Sequence, residues 1–405
     1  MKKIIPLLLM LVLLLCACGG QEPAATTGTE PSTATTEPTV VTTGTEPETT
    51  PSENTEATDP SESTEPSETT LPQHTMPDIY EPETTEPEST EPAPTEPTYS
   101  DYTNPLTGEY VSEAYKNRPY MVVIDNDNKQ AQPHWGVGDA DILWELPHEF
   151  NTSRMVAMYM NIDGIARFGP TRSARPYQLS LTMGYDGIFI HAGHSPQARE
   201  LLASTGWDHL DGVLSEYSYY YRDKTRLESG IDSWHTMFTT SENVKKAIKN
   251  KGISTSRGEV VDYGMEFAQD GTPDGETADY IDIRFTKGGR RSELWYDADL
   301  GKYMKQQFGQ VYTDANNGEA VTFENVLILE ADVSVLPGYG YLAVELVGSG
   351  EGYFACGGQY VAIRWSRSDT NSPFTFTLTD GSPLTFGVGN TYAAVVKTDA
   401  PVSFS

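Results

Sequence analysis

Cysteine is nearly absent. Only Cys16, Cys18 and Cys356 occur in 405 residues, and the first two sit at the end of the one long apolar run. The folded part therefore holds Cys356 alone, which leaves no internal disulfide and no cysteine-based zinc site there. A single thiol in "ACGG", in a late strand-and-turn region, reads as packing rather than as a nucleophile. Basic residues are scarce too: 27 Lys and Arg stand against 58 Asp and Glu, for a formal net charge of −31. With no basic aromatic module besides, nucleic acid is not expected as a partner. The apolar run, "IIPLLLMLVLLL", is about a dozen residues, against the roughly 20 that span a bilayer. The G-x-S-x-G, H-E-x-x-H and G-x-x-x-x-G-K-[ST] patterns are all missing. Their absence removes the usual serine-hydrolase elbow, zinc-protease helix and phosphate loop. No cofactor is expected.

What is present begins with an export signal. Lys2 and Lys3 precede the apolar run, and "LCACGG" follows it. Leu15, Cys16, Ala17 and Cys18 resemble the lipobox of bacterial lipoproteins. That resemblance implies a signal peptide over 1–17, cleavage before Cys18 and a lipid anchor on Cys18; bulky Leu15 makes Cys16 the weaker candidate. Residues 18–101 then read as a Thr-, Glu- and Pro-rich tether. Between Gln21 and Asp101 it carries 19 acids and no Lys or Arg, which leaves about −14 on the folded part. Such a segment has too little to bury to offset its ordering entropy, and is expected to be disordered. Its length allows on the order of 250 Å of reach as an extended polyproline helix and roughly 50 Å as a coil.

The remaining 300 or so residues suit two domains. Over 102–255, buried strands ("YMVVIDND", "ADILWEL", "RMVAMYMNI", "DGIFIHAG") alternate with helical spacing ("SARPYQLSLTMGY", "SPQARELLASTG"). That alternation predicts an α/β domain, a mixed sheet with flanking helices. Serines 173 and 195 are expected as N-caps, and Gly206 as a helix stop. Residues 256–279 read as a connection. From 280 to 405 the period becomes two, with Gly, Asp-Gly and Pro as punctuation, and predicts a β-rich domain of hairpins.

Candidate site residues fall where such folds bind ligands, at strand ends and helix N-termini. "RFGPTRSARPYQ" gathers Arg172, Ser173 and Arg175 at a helix entrance. His191, Gly193 and Ser195 follow the "DGIFI" strand. Arg154 opens another strand, "YYYRDKTR" supplies Arg222, Asp223 and Arg226, and "SWHT" supplies His235. Guanidinium groups converging on free N–H groups make an anion site for a carboxylate or phosphate. Equally, Arg172 and Arg175 can pair with Glu145, Glu149 and Asp223 and simply lock loops together. "HAGH" has the spacing of a His-x-x-His metal pair, yet no metal is expected.

"NPLTGEY…RPYMVVIDND", "ADILWE", "FGPTRSARPYQLSLTMGYDGIFIHAGHSPQA" and "YRDKTR" resemble the YerB-like lipoproteins, as does the late "RSDTNSPFTFTLTDGSPLTFGVGNTYAAVV". The family carries two domains of unknown function. The resemblance runs from about residue 103 to 398 and places all the candidates just named, with Glu145 and Glu149, at matching positions. Two departures stand out. His194 replaces a family glycine, and "SGIDSWHT" differs from the family's "PHN" turn, although His235 keeps its place. The resemblance implies an envelope lipoprotein, not a reaction.

Two functions compete. One is a membrane-anchored extracytoplasmic protein at a Gram-positive-type envelope, binding peptidoglycan fragments, an anionic wall polymer or a wall-synthesis protein. The other is a wall glycan hydrolase or lyase with Glu145 or Glu149 as general acid and Asp223 or His235 as its partner.

Overall fold

The computed structural model describes residues 102–405. Cys18 and the expected signal and tether lie outside the described residues. Among the described residues, four helices and two main sheets carry the architecture. The larger sheet contains β1 (Tyr120–Ile124), β2 (Ile142–His148), β3 (Thr152–Tyr159), β4 (Ile188–His191), β5 (His209–Asp211), β6 (Asn325–Ala331), β7 (Gly348–Cys356), β8 (Gln359–Arg367) and β9 (Thr391–Lys397). Their spatial order is β8-β7-β6-β9-β2-β3-β1-β4-β5, and two short strands, Glu276–Thr277 and Thr375–Leu378, add to β8.

The sheet is mixed. β1, β4 and β5 run parallel, as do β6, β9 and β2, while β3 lies antiparallel between β1 and β2. β9 comes from the end of the chain and pairs with β2 in the register Thr391 with Ile142 to Ala394 with Glu145. The expected 102–255 and 280–405 parts therefore share one sheet. Hydrophobic alternation shows within each half, but nothing in it says that a strand 250 residues away will close the gap beside β2.

Both faces of this sheet are covered, which explains why "YMVVI" in β1 is buried at every position. Val122 and Ile124 point into one core, Met121 and Val123 into the other. The first core lies against the second sheet, through Ile281, Ile283, Leu294 and Tyr303, and against α4 (Ser241–Lys251) through Val244, Ala247 and Ile248. The second takes α1 (Pro176–Gly184) and α2 (Pro196–Thr205), with Trp144, Trp365 and Phe374. Each buried aliphatic side chain contributes about 1.5–3 kcal/mol of transfer free energy.

Local signals set the helix ends. Ser195 Oγ accepts from the Ala198 N–H at 3.1 Å, and Gly206 closes α2 at φ 62°. Ser173 does not cap α1. Pro176 fixes the first turn, so Arg175 is the N-cap residue, and its N–H donates to Gln178 Oε1 at 2.9 Å.

Candidate functional site

The carboxyl ends of the parallel strands line one edge of the sheet, the edge where α/β proteins hold ligands. β1 leads into Asp125 and Asp127, and β2 into His148 and Glu149. β4 leads into the loop from His191 to Ser195, β5 ends at Asp211 and β9 at Lys397. Antiparallel β3 starts here, bringing Arg154, and α1 starts here behind Ser173 and Arg175.

These side chains form a frame of charges. Arg154, 1% exposed, donates to Asp127 Oδ1 at 2.7 Å and to the Ser173 carbonyl at 2.8 Å. Arg172 donates to Asp127 Oδ2 at 3.1 Å and lies 3.5 Å from Asp125 Oδ2. Arg175 grips Glu149 with two bonds, at 2.8 and 2.9 Å. His148 Nε2 donates to the same carboxylate at 2.6 Å. Arg290 donates to the Asp127 carbonyl at 2.6 Å, while its buried Nη1 finds no hydrogen-bond partner among the described residues. Arg154, Arg172, Arg175 and Arg290 thus face Asp125, Asp127 and Glu149, one positive charge in excess. Of the three in ion pairs, Arg172 shows the most side chain to solvent, 23%, against 10% for Arg175 and 1% for Arg154.

His235 is fixed by its neighbours. The indole N–H of Trp234 donates to His235 Nε2 at 3.0 Å, so the ring proton sits on Nδ1 and is given to Asp125 Oδ2 at 2.6 Å. Burial would raise the carboxyls, but ionic partners win. Arg154, His148 and Arg172 hold Asp127 well below the usual range, and His148 and Arg175 bring Glu149 down to about 2. Burial, with Arg154 adding to it, brings His148 down to about 3.

Several expectations about pairing are corrected. Glu145 lies apart from Arg154, Arg172 and Arg175: it shares the Leu143 face of β2 and meets Lys305, fully buried, under the second sheet, with Arg290 the one guanidinium near enough to lower it. Alternation alone would put Glu145 and Glu149 on one face; the strand ends at His148, and the turn at Glu149–Asn151 carries Glu149 away to Arg175 and His148. Asp223 does not meet Arg172 either. It caps α3 (Lys224–Glu228) through the Arg226 N–H and ion-pairs with Arg167, whose guanidinium lies over Phe238 and Trp135 at 3.7 and 4.2 Å. Arg226 clamps the carbonyls of Gln130, Gln132 and His235, and exposed Arg222 bonds the Ser233 carbonyl. The general-acid reading loses its groups: Glu145 is sealed from solvent, and Glu149 is ionised at neutral pH.

The histidine loop adjoins Ser173. Gly193 stands at φ 79°, its N–H on Asp211 Oδ1 at 2.8 Å and its carbonyl accepting from His191 Nδ1 at 2.7 Å. A side chain there would be strained, and its Cβ would stand 3.2 Å from Ser173 Oγ. Since His191 Nδ1 carries the proton, its Nε2 accepts from His209 Nδ1 at 3.0 Å. The two rings lie 5.2 Å apart at 8°, so the nitrogens point at each other rather than at a shared ion. His194 Nε2 stands 3.7 Å from Asp211 Oδ2. Among the described residues no group of three or more His, Cys, Asp or Glu is arranged to hold a metal ion.

Mild acid should destabilise the fold through buried histidines. Burial brings His134, His148 and His191 down to about 3, 3 and 4. In the unfolded chain they titrate near 6.5. Below about 6.5 the unfolded state takes up protons that the folded state refuses, so stability present at neutral pH is lost as pH falls towards 4. Asp141, raised to about 7 by burial, opposes this with one proton against three. The urea midpoint should be lower at pH 5 than at pH 7.5, and equal midpoints would show that these histidines titrate alike folded and unfolded.

Two family models match this chain. The N-terminal domain of a protein family of unknown function, DUF3048, matches residues 106–254, and its C-terminal domain matches 281–393. The chain belongs to the DUF3048 family. It is 26% identical over 293 residues to a Bacillus subtilis (strain 168) protein named "Putative lipoprotein YerB", covering 72% of this chain and 85% of that one. The crystal structure of Bacillus subtilis YerB superposes with a TM-score of 0.65, over 74% of this chain and 99% of that chain. The family resemblance and the α/β-then-β-rich fold class are thus borne out. In this DUF3048 chain the frame also uses residues that motif reading passed over. Asp125 and Asp127 are the acids of "YMVVIDND", and an acid pair closing an apolar strand is a signal of a carboxyl-end site. His148, Arg290 and Lys305 carry no such local signal.

Proposed function

We propose that this chain is a lipid-anchored protein on the outer face of the cell membrane that binds an anionic component of the envelope, peptidoglycan or a wall polymer. The observation that carries this is the carboxyl-edge crevice. In a chain of net charge −31 it holds one guanidinium more than carboxylates, with Arg172 part-exposed and Arg290 Nη1 unsatisfied among the described residues. "LCACGG" and the name of the Bacillus subtilis relative support the anchor.

Replacing Cys18 tests the anchor and supplies soluble protein. Cys18→Ser should move the protein from washed membranes into the medium, since about a dozen apolar residues cannot span the bilayer. The released protein should co-sediment with purified sacculi at low salt and come off as salt is raised, because screening weakens ionic contacts. Retention of Cys18→Ser in membranes as a lipid-modified species would sink the anchor. Protein that stays in the supernatant with sacculi at every salt concentration would sink the binding reading.

A further inference from the structure

Beside the frame, two residues in a row, one of them a phenylalanine, take the left-handed backbone region. Phe150 and Asn151 stand at φ 60° and 57°. That conformation is costly for a large side chain and persists where the surroundings hold it, often at ligand sites. The result is a phenyl ring 75% exposed, immediately after buried Glu149. Its edge meets Tyr339, with ring centres 6.0 Å apart and planes at 81°. Tyr339 packs on Tyr341 at 4.9 Å, and Tyr341 lies 5.2 Å from the Arg175 guanidinium. An aromatic row thus runs from the frame to a groove of about 530 Å³ lined by His148, Phe150, Lys287, Val335, Leu342 and Lys397. Neither lysine has an ion-pair partner among the described residues, and Asp399 is the one carboxylate on the lining.

We propose that this groove takes an acidic glycan, a sugar chain carrying carboxylate substituents. The proposal rests on the envelope-binding reading above and names its ligand class. The walls decide between occupants. A peptide strand binds through main-chain bonds to a sheet edge, with pockets for alternate side chains. Here the lining offers the exposed Phe150 ring, valine and leucine side chains, and two ammonium groups. Aromatic and apolar walls with a few placed polar groups suit a rigid ligand that is apolar on its faces and polar at its rim. The C–H face of a pyranose meets Phe150, which Tyr339 supports edge-on from behind. The two unpaired ammoniums complement negative substituents, and a neutral glycan gains nothing from them.

The test uses the full mature chain made soluble by Cys18→Ser. The probes are a tetrasaccharide of alternating N-acetylglucosamine and N-acetylmuramic acid, and a neutral N-acetylglucosamine tetramer, with binding read by calorimetry. The acidic tetrasaccharide should bind at least ten-fold more tightly. Lys287→Ala with Lys397→Ala should remove that advantage. Phe150→Gly, which suits the left-handed backbone and should leave the melting temperature unchanged or raised, should weaken both sugars about ten-fold. Wild-type affinity in these variants, or equal affinity for the two sugars, overturns the groove assignment. If the variants also still co-sediment with sacculi, the envelope-binding reading survives without the groove. If the unsubstituted protein binds neither sugar nor sacculi, both readings fall.

Discussion

Lys305→Met should cost about 3–5 kcal/mol of unfolding stability, the range expected when a buried ion pair loses one partner. Lys305 and Glu145 are both fully buried, with Nζ 3.2 Å from Oε2. Burial pushes the ammonium down, and the Glu145 anion opposes that. On the other side, burial would raise the carboxyl, but Lys305, Ser153 and Tyr392 outweigh it and hold Glu145 below its ordinary value. Removing the lysine leaves the carboxylate with Asn126, Ser153, Ser292 and Tyr392 as donors, no ion-pair partner, and only the weaker influence of Arg290 as counter-charge. The remaining anion then becomes easier to protonate, so the loss should be smaller at pH 5 than at pH 8. Adding Glu145→Gln should restore most of the stability, because no charge is left orphaned. Denaturant unfolding of both single variants and the double variant makes the cycle. A single-variant loss below about 1 kcal/mol would mean that water reaches the pair. Because Glu145 sits on β2 and Lys305 on the second sheet, the cycle also measures how firmly the early and late parts of the chain are held together.

That pair marks the limit of what the sequence could reveal. "YMVVI" and "DGIFIHAG" announce buried strands through composition alone, and Ser195 and Gly206 announce the ends of α2. Local chemistry suffices for such elements. Ser173 looked like a cap as well, but Pro176 two residues beyond Ala174 moved the helix start to Arg175. Pairings across the fold follow a different logic. "RSAR" told that guanidiniums would gather, not that Asp127 would take both Arg154 and Arg172 while Glu149 took Arg175. Glu145 and Glu149 are four apart and look like neighbours at one strand end. The turn at Glu149–Asn151 sends them to different environments, one under the second sheet and one against α1. Charge partners are set by which strands lie side by side, and β9 arriving beside β2 is a fact of topology rather than of local propensity.

Arg175→Ala and Arg172→Ala should part company, and the difference separates a lock from a site. Arg175 is buried and holds both oxygens of Glu149, whose side chain is 1% exposed. Its removal should cost about 3–5 kcal/mol, as expected for an orphaned buried carboxylate. His148 gives this loss a pH signature. In the parent protein burial and the nearby guanidiniums keep it neutral, at about 3. Without Arg175 the Glu149 carboxylate 2.6 Å away becomes the stronger influence and its folded-state pKa rises. A raised folded pKa adds stability at low pH, so Arg175→Ala should lie closer to the parent at pH 5 than at pH 8. Arg172→Ala orphans nothing. Asp127 keeps Arg154, Asp125 keeps His235, and the lost guanidinium was already 23% exposed. Its stability cost should be about 1 kcal/mol or less, in line with partly solvated pairs. Retention on sacculi, however, should fall sharply, because Arg172 is the guanidinium through which an anion can enter the crevice. Urea unfolding and co-sedimentation of both variants give the answer together. If Arg172→Ala is as unstable as Arg175→Ala, the whole cluster is a lock. If it is stable and still held by sacculi, the anion binds elsewhere on the chain, and the crevice is not its seat.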